Sequence, residues 1–164
     1  MFLKHASASM LGLLYFSLIG GFSAPKIVKV LDSTRYLTEH EKRTWRRLNE
    51  TFDMVLACLE TASALTVGGE GWKAVLRVRL LHSSVRIRIL SSSSSSSSPS
   101  SSWDSEKDGL PINQEDMMAT LLAFSVNVLD SIKKVNCHDS ERLLSREEQE
   151  DYLHMWRLIG FYMG

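Results

Sequence analysis

Two stretches of this chain, Thr38-Glu-His-Glu41 and Ser145-Arg-Glu-Glu148, carry the same helix-starting signature. A hydroxyl and a carboxylate three residues later can each accept the other residue's free backbone N–H, which closes the first turn of a helix. After the first, EKRTWRRLNETFDMVLACLETASAL sets Trp45, Leu48, Phe52, Val55, Leu56 and Leu59 at three- and four-residue intervals, one apolar stripe. After the second, Tyr152, Met155, Trp156 and Ile159 keep that spacing to the end of the chain. Between them Asn113 is an N-cap answered by Asp116, and the helix it opens should bury Met118, Leu121, Leu122, Leu129 and Ile132. Val67-Gly-Gly-Glu-Gly71 breaks the pattern and reads as a loop. No strand pairing is strongly signalled outside one ambiguous stretch. Four or five helices therefore account for nearly all the ordered chain, an all-α helical bundle.

The ambiguous stretch is Ala74–Leu90. Its alternation over Leu76–Leu80 and Val85–Ile89 fits two strands around a His-Ser-Ser turn. The turn lacks the Gly or Asn that tight hairpins need, and the neighbouring segments are helical in pattern. Periodicity leaves hairpin and helix evenly matched. Twelve residues from Ser91 to Ser102, broken only by Pro99, follow it. Such a tract buries too little apolar surface to offset its ordering entropy, so 91–102 reads as a disordered insertion in a single domain, 1–164.

The remaining composition narrows the function classes. With 19 basic and 19 acidic side chains the chain has no net charge, so a nucleic-acid partner is not expected. Cys58 and Cys137 stand apart from each other and from any histidine cluster, as buried structural thiols do. His5, His40, His138 and His154 are too isolated or too polar in context for a metal site. Ala6–Pro25 carries no charge, and it fits a signal peptide, a membrane span and a buried helix equally.

His82 is the candidate chemical centre. If Gly71–Leu90 is helical, Arg79 three residues before His82 and Arg86 four after it lie within about 60° of the imidazole, while Arg77 and Arg88 point elsewhere. A lone neutral imidazole in apolar surroundings suits an axial haem ligand, and flanking guanidinium groups suit haem carboxylates. A satisfied boundary histidine beside a solvated arginine face is the competing reading. Arg47 and Thr51, one turn apart on the preceding helix, form a donor pair suited to a small polar ligand, or simply an exposed Arg and Thr.

Five pieces in order, Trp45-Arg-Arg-Leu-Asn-Glu-Thr51, Val78-Arg-Leu-Leu-His-Ser-Ser-Val-Arg86, Gly109-Leu-Pro-Ile-Asn-Gln-Glu-Asp116, Phe124-Ser125 and His154-Met-Trp-Arg-Leu-Ile-Gly160, resemble one family. It is the catalytic domain of the rubber oxygenases, or latex clearing proteins, which includes the endoplasmic-reticulum-bound oxygenase of fungal mycophenolic acid biosynthesis. The resemblance runs from about Gly20 to the C-terminus and implies a globin-like helical fold holding haem b. It implies dioxygen as co-substrate, cleavage of a carbon–carbon double bond in an apolar isoprenoid, and association with the endoplasmic-reticulum membrane. By motif position it makes His82 the proximal iron ligand, Arg79 and Arg86 its flanking cofactor-binding arginines, and Arg47 and Thr51 the pair that positions oxygen or substrate. It also favours helix over hairpin at Ala74–Leu90. No residue matches the family's second axial lysine or its acidic active-site group, for which Asp32 is only a nearby carboxylate. Family members extend further at both ends, so the resemblance implies a truncated domain. A non-catalytic helical protein that binds a membrane or a partner is the alternative function.

Overall fold

The computed structural model describes residues 1–34, 41–93, 103–135 and 144–164. Among these every regular element is helical: α1 (Ala6–Leu11), continued by a π-helix (Gly12–Ile19) and a 3₁₀ turn (Gly20–Ser23), then α2 (Pro25–Ser33), α3 (Glu41–Leu59), α4 (Glu70–Ser93), α5 (Ser105–Asp108), α6 (Gln114–Val135) and α7 (Arg146–Met163). Neighbours pack in the order α3, α4, α7, α6 and the N-terminal helix. The protein is an all-α bundle.

Each predicted helix start inside the described residues is present. Ser145 Oγ accepts the Glu148 N–H at 3.1 Å, and Glu148 Oε2 accepts the Ser145 N–H at 2.9 Å. That backbone bond first, with Lys4 alongside, holds the Glu148 carboxyl at about 2. Asn113 and Asp116 make the same reciprocal pair at 2.9 and 3.0 Å. The Thr38 signature, Cys137, His40 and His138 lie outside the described residues. So does the serine tract beyond Ser93, and α4 runs through its first three serines.

The core runs through the packed faces of these helices. Leu13, Val55, Val75, Val128, Ile132 and Ile159 are fully enclosed. Trp156 lies against Phe124 and Tyr152 with ring centroids 5.5 and 6.2 Å away, and Tyr152 Oη donates to Phe124 O at 3.0 Å. Burial raises the Tyr152 pKa, keeping the phenol neutral.

The sequence misplaced two helix faces. Met118 and Leu122 are exposed where burial was expected, and the buried face of α6 holds Phe124, Ser125, Val128, Leu129, Ser131 and Ile132. The reason is that α6 is flanked on two sides, by α7 and by the N-terminal helix. On the second side the approach is close at Gly12 and Ser17. A Cβ on Gly12 would lie 2.6 Å from Ser131 Cβ, and Ser17 Oγ reaches Ala123 O at 2.6 Å. On α3, Val55 is buried as the stripe predicts and Cys58 joins it, while Trp45 and Leu56 of the same stripe are exposed.

The N-terminal run therefore packs on the bundle through Ala8, Ser9, Gly12, Leu13 and Ser17. Its other side leaves Tyr15, Phe16, Ile19 and Phe22 exposed. By length and composition Ala6–Ser23 is also apolar enough to cross a membrane.

Candidate functional site

The stretch with two readings is helix, and its contact with α3 sets the level of everything on it. A Cβ on Gly71 would lie 2.8 Å from Cys58 Cα and 2.9 Å from Ala57 O, so α3 and α4 meet here backbone to backbone. Trp72 N–H donates to Ala64 O at 2.9 Å and closes the turn between α3 and α4. From this contact the helices run antiparallel. Arg47 lies eleven residues before Cys58 and His82 eleven after Gly71, so each stands about 16 Å along its own axis from the shared point. An equal count on two antiparallel helices brings Arg47 level with His82. Cys58 itself is enclosed, and burial pushes its thiol up to about 11, which leaves it chemically inert.

His82 is half-buried, and its Nδ1 is enclosed with no hydrogen-bond partner. Its pKa lies below the ordinary histidine value because of burial first, then the cations Arg86 and Arg47. The ring is thus held neutral, the form whose nitrogen lone pair can bind a metal. The unpartnered Nδ1 leaves a polar group unsatisfied, as His5 Nε2 and Trp156 Nε1 also do, and it is the place beside Arg86 and Arg47 that sets His82 apart. The residues present fit an axial haem ligand on these two grounds.

The other expected residues divide. Arg86 is half-buried, with Nε donating to Pro111 O at 3.1 Å and Nη2 donating to Ile112 O. Arg79 is exposed and turned to the end of α7, where Nη1 donates to Tyr162 O at 3.0 Å. It satisfies a carbonyl at the negative end of that helix. Thr51 Oγ1 donates back to Arg47 O at 3.0 Å, so its hydroxyl lone pairs remain for a ligand while its proton is used. Asp32 is exposed on α2. Among the described residues no cluster of three or more His, Cys, Asp or Glu side chains could hold a metal ion.

What the sequence did not show is that the segment from Trp103 to Asn113, ahead of α6, supplies the carbonyls that hold Arg86. Lys29 of α2 pairs with Asp108 and stands 5.4 Å from the Trp103 ring centroid, and Lys26 meets Asp116 at 3.1 Å. Trp103 Nε1 donates to Gly109 O at 2.8 Å. The usable sequence signals were Gly109 and Pro111, which mark a turn. Nothing in the sequence marks Ile112, whose backbone sits at φ 53°.

The family described as "ER-bound oxygenase mpaB/B'/Rubber oxygenase, catalytic domain" matches residues 4–164. The chain belongs to this family. The match takes in the N-terminal apolar run, which lies upstream of where the motif resemblance begins, so the run is part of the matched domain. An oxygenase domain acts on a small molecule with oxygen, which places the chain among oxidoreductases. Comparison with curated proteins and with solved structures gave no match.

Proposed function

We propose that this protein is a haem b-dependent oxygenase that uses dioxygen to cleave a carbon–carbon double bond of an isoprenoid or similar apolar molecule, with His82 as the iron ligand. The observation that carries the reading is the enclosed, unpartnered Nδ1 of a histidine held neutral, in a chain of an oxygenase family. Bound haem would supply the redox activation of dioxygen that no side chain can supply. The chain's own part is to bind and orient. His82 offers a ring nitrogen, and Arg86 offers the edge of its guanidinium that the Pro111 and Ile112 carbonyls leave open. Arg79 spends one N–H on Tyr162 O at the end of α7 and keeps its other donors for a second carboxylate. Arg47, level with His82, brings donors for a small polar ligand, and Thr51 beside it brings acceptor lone pairs. The exposed apolar side of Ala6–Ser23 suits attachment to the endoplasmic-reticulum membrane, close to where an apolar substrate would partition.

A second reading, a helical protein without catalysis, is favoured by one feature: Arg79 and Arg86 are both already engaged with backbone carbonyls. The two readings part in one experiment. The chain purified with added haem, and its His82→Ala variant, are compared by visible absorption and by circular dichroism. The oxygenase reading requires a Soret band in the parent that is lost in a folded variant. Isoprenoid alkenes are then screened for carbonyl products. A folded parent without the band overturns the haem reading, and a band retained by the variant moves the ligand away from His82.

A further inference from the structure

Among the described residues Ile112 is the one non-glycine with positive φ, at 53°. A β-branched side chain is rarely found in that region, because its Cβ crowds the adjoining carbonyl. Backbone strain of this kind persists where the surroundings enforce it, and it concentrates at functional sites. Here the enforced conformation has a visible product. It turns the Pro111 and Ile112 carbonyls toward the same guanidinium, which donates to one through Nε and to the other through Nη2. Pro111 is fully enclosed, and the reciprocal Asn113–Asp116 cap begins one residue after Ile112, so both sides of the turn are fixed. Lys26 and Lys29 of α2 anchor the same segment at Asp116 and Asp108.

We infer that Ile112 is a positioning residue, whose left-handed turn aims the Arg86 guanidinium at the ligand site beside His82. Two carbonyls occupy the Nε–Nη2 edge of Arg86, so the fork has one orientation and presents its remaining Nη1–Nη2 edge for a carboxylate. A solvated arginine would have to be ordered by the ligand itself, at a cost to affinity. The role assigned to Ile112 rests on the haem reading, whereas the clamp on Arg86 does not.

The test uses the full chain without haem and then with it. In haem-free protein, ¹⁵N NMR follows hydrogen exchange at Arg86 Nε in the parent, Ile112→Gly and Ile112→Pro. Glycine keeps the left-handed turn, and proline, fixed near φ −65°, abolishes it. Slow exchange in the parent and in Ile112→Gly, and fast exchange in Ile112→Pro, is expected. Haem affinity and dissociation are then read from the Soret band, with Arg86→Lys added because it keeps the charge, loses the fork and does not depend on the turn variant folding. Ile112→Pro and Arg86→Lys should each weaken haem about tenfold, the usual scale of a lost charge-assisted hydrogen bond, and together no further. Full affinity in Arg86→Lys overturns the inference, as does exchange at Nε that Ile112→Pro leaves slow, or additive losses in the double variant. Haem binding to none of the chains, with the exchange pattern as expected, overturns the haem reading and leaves the clamp standing.

Discussion

Replacing Gly71 by alanine tests whether the α3–α4 contact sets the level of the site. In the first turn of α4 the change from glycine should by itself stabilise the helix by about 0.5–1 kcal/mol. The added Cβ, however, would lie 2.8 Å from Cys58 Cα and 2.9 Å from Ala57 O. Both are backbone atoms of a helix and cannot swing aside, whereas carbon atoms rest at about 3.5–4 Å. The helices must part by most of an ångström where they are otherwise close-packed, which costs about 1–3 kcal/mol. The net expectation is a loss of about 1–2 kcal/mol, which moves the urea midpoint down by about 0.5–1 M at an m-value of about 2 kcal/mol/M. Gly21→Ala is the matched control, since a Cβ there meets nothing within 4 Å. The same separation draws Arg47 off His82, so the imidazole pKa, read by NMR, should rise toward its ordinary value. A midpoint equal to or above that of the parent would refute the close contact, and with it the equal-count geometry that brings Arg47 to His82.

Three further outcomes follow from the described contacts. The His82 pKa is depressed in the folded chain, so between that value and about 6.5 the unfolded chain binds the extra proton, and stability should fall as pH drops through this window. His82→Leu should flatten urea midpoints across the same range, and a parent with a flat profile would remove the claim that the ring is held neutral. Gly12→Ala should cost about 2 kcal/mol through its collision with Ser131, and Ser131→Gly in the same chain should recover part of it; strict additivity in thermal unfolding would deny the contact. In the haem experiment, His82→Ala should remove the Soret band without loss of helical signal.

How far the sequence reached depends on what each residue's neighbours are. Asn113 and Ser145 could be read as helix starts because capping is decided within four residues. Tyr152, Trp156 and Ile159 could be read as core because α7 presents one apolar stripe. Met118 and Leu122 could not be placed, since which side of α6 is buried depends on the close approach of Gly12 and Ser17, more than a hundred residues away. At the site, the family motif singled out His82 and Arg86, but the carbonyls on Arg86 come from a turn whose left-handed residue is an isoleucine. A glycine or asparagine at that position would have announced it. Arg79 shows the reach of a long side chain: its spacing places it on the face of His82, and its guanidinium extends to Tyr162 O at the end of α7.

The π-helical run from Gly12 to Ile19 bears on how the chain can change length. Its bonds span five residues where an α-helix spans four. Removing one residue there lets the run tighten to α-helical pairing, so a deletion is absorbed where it occurs. The same deletion in α6 would rotate everything beyond it by about 100° and carry Val128 and Ile132 out of the core. Loss of a single codon should thus be survivable in the first segment and ruinous in the central helix.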